Sequence, residues 1–302
     1  MTKRVAVTGS SGLIGGALRR ALDERGDEVV RLVRHVPSAP DEVQWDPSRG
    51  RIDEGALDGV DAVVNLAGVG IGDRRWNPEH KREVERSRTD ATGTVAQALV
   101  AHRARTGEAI RLVNASAVGY YGDRGEEHLP ETSEPGQDFL SGVVVRWEGA
   151  ARPAVDAGLP VAFIRTGLVM APEGGAFEQV VLLGRLGLGG PMGSGREWWP
   201  WITLVDEVRA ILHLVDHPEL AGPFNLVAPG VARQGEIASA IGSALSRPAF
   251  VPAPRFAVRA VIGEFADYVL ASQRVEPEAL LSSGFTFEHP DLDGAVRWLV
   301  KR

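Results

Sequence analysis

Residues 4–15, RVAVTGSSGLIG, pass from a β-branched run through three glycines set three apart into a helical pattern that reaches Arg25. Few local structures accept that order. Gly9 permits a tight turn after the strand. Gly12 has no Cβ, so a bound group can approach the backbone, and Gly15 lets the helix lie close against the strand. The helix that opens at Leu13 and Ile14 presents N–H groups with no partner inside the helix, together with the positive end of its dipole. Phosphate is the natural occupant of such a turn. Strand, loop and helix in this order predict a dinucleotide-binding unit, with Gly9, Ser11, Gly12, Leu13, Ile14 and Gly15 at the pyrophosphate.

The chain then repeats the alternation. Glu28–Val33, Asp61–Leu66, Arg111–Ala115 and Val161–Arg165 read as further strands, with helical patterns at Leu13–Arg25 and Pro78–Arg105. Parallel strands joined by right-handed helical crossovers give an α/β fold with a doubly wound parallel sheet, the NAD(P)-binding Rossmann architecture. Residues 171–200, with GGAF and GLGGPMGSG, read as one long loop. Trp201–His213 restores a strand-then-helix pattern and Phe224–Val227 reads as a strand; helices are predicted near 234–246, 254–271 and 291–301. The division expected is a nucleotide-binding domain over 1–170, to which 201–228 return. Residues 171–200 and 229–302 would form a smaller C-terminal substrate lobe.

The end of the second strand selects the nucleotide. About 20 residues beyond the glycine loop, an NAD-binding chain usually places Asp or Glu on the ribose hydroxyls. Here the strand ends Val33-Arg34-His35. A guanidinium there suits a 2′-phosphate through charge-assisted, often bidentate contacts, so the expected cofactor is NADP(H).

Composition narrows the partners. With 33 basic and 40 acidic residues the formal net charge is -7, which leaves no electrostatic footprint for nucleic acid. The chain has no cysteine, so disulfides, thiolate nucleophiles and cysteine-ligated zinc are out of reach. No apolar run approaches the roughly 18 residues of a membrane span, and no apolar signal precedes the first strand. The expectation is a cytoplasmic protein, monomeric or homodimeric, that binds a small molecule. His213 and His217 stand four apart, but no third ligand accompanies them, so they read as structural and no metal is expected.

Several longer motifs carry a family resemblance. The GxxGxxG spacing, Asn65-Leu66-Ala67-Gly68, the segment Asn114–Gly122 (NASAVGYYG), Trp201–Glu207 and Gly222–Leu226 resemble the extended short-chain dehydrogenase/reductase, or NAD(P)-dependent epimerase/dehydratase, superfamily. Arg74-Arg75-Trp76-Asn77, Ser87-Arg88, Trp147-Glu148, Arg165-Thr166-Gly167, GLGGPMGSG and Ser272–Pro277 add a narrower likeness, to its "epimerase family protein" branch. That likeness runs over nearly the whole chain and implies NADP-dependent oxidoreductases of undefined substrate. It also implies cofactor contacts at the glycine loop, Val33, Arg34, Leu66, Ala67, Gly68, Glu83, Arg88, Ala115 and Val169.

One departure bears on chemistry. The superfamily normally uses Tyr-x-x-x-Lys with a Ser or Thr, the lysine lowering a phenol pKa of about 10. This chain has three tyrosines, Tyr120, Tyr121 and Tyr268, none followed four positions later by lysine. Aligned on Trp147-Glu148, the two positions hold Leu140 and Val144; Ala117 fills the serine position, with Ser116 one residue away. Tyr121, Tyr120 and Ser116 are the remaining catalytic candidates, and Glu131, Asp138 and Glu148 are acids that follow the same strand. Trp198, Trp199 and Trp201 either wall a substrate or pack the lobes together. Two functions stand side by side. One is an NADP(H)-dependent oxidoreductase or epimerase acting on a small carbonyl or sugar-like substrate. The other is a non-catalytic NADP(H)-binding regulatory protein.

Overall fold

The computed structural model describes residues 2–53 and 55–301. The strands in chain order are β1 (Arg4–Thr8), β2 (Glu28–Val33), β3 (Glu42–Asp46), β4 (Arg51–Ile52), β5 (Ala62–Asn65), β6 (Arg111–Ala117), β7 (His128–Leu129), β8 (Val161–Thr166), β9 (Leu168–Met170), β10 (Trp201–Thr203), β11 (Gly222–Leu226) and β12 (Arg274–Val275). Eight of them form one sheet in the order β11-β8-β6-β5-β1-β2-β3-β4. Every pairing in it is parallel except β3 with β4. The chain starts in the middle of the sheet, winds outward to β4, then returns past β5 to β11. The carboxyl ends of β1, β5 and β6 thus lie side by side at the reversal, where such sheets bind ligands.

Helices cover both faces because the central strands are apolar on both faces. On one side α1 (Leu13–Arg25) and α6 (Leu204–Asp216) bury Leu18, Leu22, Ile211 and Leu214 against Val5, Val7, Val64 and Val113. On the other, α2 (Pro78–Thr106) sets Val95 and Leu99 against Ala6, Val63 and Leu112. Truncating any of these fully buried leucines to alanine costs about 2–5 kcal/mol. The ends of α1 and α2 follow local chemistry. Gly26 and Gly107 take left-handed conformations (φ 79° and 80°) at the two C-termini, and the Asn77 side chain caps α2 with Pro78 in its first turn.

The structure adds to four readings or changes them. The polar segment after β2 adds β3 and β4 at the sheet edge, where side chains need not be apolar. Within 171–200, helix α5 (Gly175–Arg185) forms because Phe177, Val181 and Gly184 share one buried face; Gly184 packs on Ile241 and Leu245 of the helical region after β11. Trp201–Thr203 pairs with Leu168–Met170 in a separate two-stranded sheet, and it is β11 that enters the main one. The 254–271 pattern breaks at Gly263, whose φ of 68° ends the helix Arg255–Ile262 before a second short turn at Ala266–Val269.

Trp199 and Trp201 belong to a cluster with Met170, Phe177, Ile237 and Leu299 that joins the C-terminal helices to β9 and β10. Their indole N–H groups donate to the carbonyls of Val269 and Gly230 at 3.0 and 2.9 Å. Of the two readings for these tryptophans, packing is the one the structure selects; Trp198, half-buried, donates to Glu126 and lies under Arg233.

Candidate cofactor site

A buried polar chain fixes the strand ends. Thr8 Oγ1 donates to Asn65 Oδ1 (2.7 Å) and accepts from the backbone N–H groups of Leu66 and Ala67, both at 3.0 Å. Asn65 Nδ2 donates to Asn114 Oδ1 (2.7 Å) and to Thr92 Oγ1 (3.0 Å), and Trp147 Nε1 donates to that same hydroxyl at 3.0 Å. β1, β5, β6, α2 and the helix Phe139–Gly149, here α3, are thereby tied at one point. Each member is satisfied, so the network rigidifies the floor on which Leu66, Ala67 and Gly68 stand.

Above that floor lies a cleft of about 1050 Å³. Gly9, Ser11, Gly12, Val33, Arg34, Leu66, Ala67 and Gly68 all line it, together with Trp45, Ser48, Gly70 and Asp73. The three loop glycines do three different jobs. Gly9 has φ 64°, and a Cβ there would stand 2.8 Å from the Leu66 carbonyl oxygen. A Cβ on Gly15 would meet the Gly9 oxygen at 2.2 Å. A Cβ on Gly12 would meet nothing nearer than that oxygen at 3.4 Å, so what Gly12 leaves open is cleft, not protein contact. No acidic residue occupies the first turn of α1, and the exposed Ser11 and Gly12 flank its N-terminus. The residues present fit a pyrophosphate.

At the other end of the cleft the charges sort themselves. Arg31 is held by Asp41 and Glu42, and the Asp41 hydrogen bond raises the Arg31 pKa against the lowering effect of burial. Glu42 also accepts from the Ser38 N–H at 2.7 Å, and His35 stands 3.4 Å from it. Arg34 is exposed, lines the cleft, and has no ion pair or hydrogen bond among the described residues.

Other predicted contacts fall elsewhere. Leu13 lies against Gly174 and Gly175, and Ile14 packs on the apolar cluster beneath α1; neither lines the cleft. Ala115 and Val169 pack with Ile14 and Leu66 at the edge of the apolar cluster beneath α1. Glu83 is engaged by Arg74 at 2.6 Å, outside the cleft lining. Arg88 is buried under Gly68; it donates to the carbonyls of Val69 and Val84 at 3.0 and 2.9 Å and stacks on Trp147. Burial lowers its pKa to about 10 while Asp73 opposes the shift.

The catalytic candidates are placed less openly than their sequence positions suggest. Tyr121 is fully buried; its hydroxyl donates to Asn225 Oδ1 (2.7 Å) and accepts from Arg165 Nη1 (3.1 Å). Burial pushes its pKa up to about 12, although Arg165 pulls the other way. That phenol holds the core together and has no face on the cleft. Ser116 is buried and donates to Glu148 Oε1 at 2.6 Å, and Tyr120 lies beneath the Arg165 guanidinium at 3.5 Å from its ring centre. Glu131 accepts from the Asn225 N–H at 2.9 Å and its pKa is raised by burial; Asp138 caps α3 through the Ser141 N–H at 2.9 Å. Leu140 and Val144 are buried side by side against Gly119, just beyond β6. His213 meets Ser283 Oγ at 2.9 Å, and its ring lies 4.6 Å from that of His217, tilted by 45°. Sequence reasoning missed Arg31, on β2 among its apolar residues, and Trp45 and Ser48, on and just after an edge strand with no glycine motif to announce a cofactor wall.

A doubly wound sheet with a glycine-loop cleft at its switch point defines a dinucleotide-binding protein of the short-chain dehydrogenase/reductase type. The model of the NAD dependent epimerase/dehydratase family matches residues 5–227, and a domain of unknown function (DUF1731) matches 253–299. The chain belongs to the NAD dependent epimerase/dehydratase family. It is 42% identical over 299 residues to the epimerase family protein MT2273 of Mycobacterium tuberculosis, covering 99% of this chain and 98% of that one. It is 38% identical over 301 residues to the mouse epimerase family protein SDR39U1, covering 98% and 99%. The crystal structure of human epimerase family protein SDR39U1 (isoform 2) with NADPH superposes with a TM-score of 0.88 at 35% identity, covering 98% of this chain and 99% of that one. Among the described residues, no helix is long and apolar enough to cross a membrane.

Proposed function

We propose that this protein is an NADP(H)-dependent oxidoreductase that reduces a small organic carbonyl compound. Residues 171–200 and 229–302 form the lobe that covers the substrate. The observation that carries the cofactor choice is Arg34, an exposed and unpaired cation on the cleft wall where an NAD-selective chain keeps a carboxylate. The human relative solved with NADPH supports the same choice. Reduction is favoured over epimerisation because epimerisation by transient oxidation needs a base. The positions that normally supply it hold Leu140 and Val144, both buried.

Those same two side chains favour a second reading, a protein that binds NADP(H) without turning it over. One assay separates the two. Calorimetry with NADPH and NADH is followed by incubation with NADPH and a panel of aldehydes, ketones and nucleotide sugars. Preference for NADPH with consumption on a panel member supports the oxidoreductase. Tight NADPH binding with no consumption supports the regulatory reading, and equal affinity for the two nucleotides overturns the NADP(H) assignment.

A further inference from the structure

We infer that the surface built by the end of α5 and by residues 245–263 docks the protein onto a membrane with acidic headgroups. Two segments distant in sequence make that surface. Residues 189–193 run beside 251–253: the Val251 N–H donates to the Gly189 carbonyl at 3.1 Å, the Ala253 N–H to that of Pro191 at 2.8 Å, and the Gly193 N–H to that of Ala253 at 2.9 Å. A Cβ on Gly190 would fall 2.1 Å from the Val251 carbonyl oxygen, so the two backbones touch. Leu186 and Leu188 thus project from a stretch of chain that adjoins the one carrying Phe250.

This surface exposes side chains that the rest of the molecule buries. Among the described residues twelve large apolar side chains stand exposed, and eight of them fall within 182–188 and 250–261. Phe250 and Phe256 are 75% and 77% exposed, and Leu186 is 64% exposed. The helix Arg255–Ile262 buries none of its own residues. It is nonetheless held in place: Arg75 donates to the Val261 carbonyl at 3.2 Å, and Lys81 pairs with Glu264 just beyond the helix. Exposed apolar residues scattered singly are ordinary, whereas a concentration of this size marks a contact with something else.

Charge names the occupant. Residues 179–196 and 245–263 hold five arginines and no aspartate or glutamate, in a chain whose net charge is -7. The side chains of Arg185, Arg196 and Arg247 have no ion pair or hydrogen bond among the described residues. One carboxylate, Asp267, serves both Arg255 and Arg259, at 3.3 Å from each. Apolar protrusions set among cations fit an occupant that is anionic at its surface and apolar just beneath. A bilayer with acidic lipids has that order: phenylalanine and leucine enter the boundary between headgroups and acyl chains, and the arginines meet the headgroup charge. A second copy of the chain fits worse, because a two-fold contact sets a patch against itself and would oppose arginine with arginine. No helix of the described residues crosses the bilayer, so the contact is with its surface.

The test sediments the full chain with vesicles of phosphatidylcholine alone and with vesicles of phosphatidylcholine and phosphatidylserine in equal parts, at low and high salt. The protein should pellet with the acidic vesicles, bind the neutral ones at least about tenfold more weakly, and be released by salt. Phe250→Ser combined with Phe256→Ser should keep the wild-type melting temperature, since both side chains are exposed, and lose at least about tenfold in binding to acidic vesicles. Arg247→Glu, at an exposed and unpaired position, should weaken that binding by about fivefold or more. Failure to pellet with either vesicle overturns the inference. So does pelleting that neither variant reduces, since the contact would then lie on another face. Sedimentation velocity without lipid gives the remaining outcome: a dimer that the double phenylalanine variant turns into a monomer makes a second copy the occupant and overturns the membrane assignment.

Discussion

Arg165 grips both carboxylate oxygens of Glu148, Nε to Oε1 at 2.9 Å and Nη2 to Oε2 at 3.0 Å; the arginine is buried and the glutamate largely so. Ser116 donates to the same Oε1, and the other edge of the guanidinium reaches Tyr121 and the Glu131 carbonyl, each at 3.1 Å. Burial works against the arginine charge, but the Glu148 hydrogen bonds and negative charge outweigh it and hold the pKa above the ordinary value. Read from sequence, Glu148 is a surface acid or a general base; folded, it is the counter-ion of a buried cation.

Removing one member of a buried pair leaves the other charge uncompensated. Glu148→Ala should therefore lower the unfolding free energy by about 3–5 kcal/mol, readable as a fall in urea midpoint. A midpoint within experimental error of wild type would show that water or a neighbour replaces Glu148 without cost.

Arg34 is poised differently, with no protein partner to lose. Arg34→Ala should leave the melting temperature of the free protein unchanged and weaken NADPH by roughly 1–3 kcal/mol, about 5- to 150-fold, while NADH is little affected. Calorimetry on both nucleotides decides it, and a parallel loss for NADH would move the 2′-phosphate contact to another residue.

Two glycines of one loop should fail in opposite ways. Gly12 has an ordinary φ of -74° and open space where a Cβ would go, so Gly12→Val should fold with near-normal stability and bind NADPH at least tenfold more weakly. Gly15→Ala drives a Cβ to 2.2 Å from the Gly9 oxygen and should destabilise the fold itself by about 1–3 kcal/mol or more. Thermal unfolding and NADPH fluorescence enhancement on both variants separate the cases; a destabilised Gly12→Val with intact binding would reverse the roles given to them.

Glu207 is fully buried near the start of α6, where Oε1 accepts from Thr166 Oγ1 at 2.8 Å and Oε2 has no partner. Burial pushes its pKa up to about 8, with the Thr166 hydrogen bond pulling weakly the other way. The folded protein thus keeps a proton that the unfolded chain releases above about pH 4.5. Stability should fall as pH rises from there to about 8, by about 5 kcal/mol from this group, and then level off. Glu207→Gln, isosteric and uncharged, should flatten that slope. Identical pH profiles for variant and wild type would show that the carboxyl is ionised in the fold at no cost.

The glycine loop, the strand that feeds it, the five central parallel strands and the arginine after β2 were all legible in the linear chain. Each is a local statement: backbone freedom at Gly9, β-branched runs buried on both faces, one charge at a strand end. Helix α1 and its Gly26 stop appear with the boundaries read from sequence, because cap and core face lie within one short segment. What stayed hidden depends on contacts between distant segments. Edge strands β3 and β4 follow from pairing with β2, and α5 from the helices that bury Phe177 and Val181. The fate of each polar side chain was undecidable from position alone. Tyr121 and Glu148 carry the motif of an active site, yet Asn225 and Arg165, 104 and 17 residues away respectively, tie them into the interior. Tyr268 carries no motif; only the tertiary fold sets its ring 4.9 Å from that of Trp76. Chain order set the phosphate turn and the nucleotide, since both are read within a few residues. Side-chain environment at the reacting end was set by the tertiary structure, since burial and partner charge come from the rest of the fold.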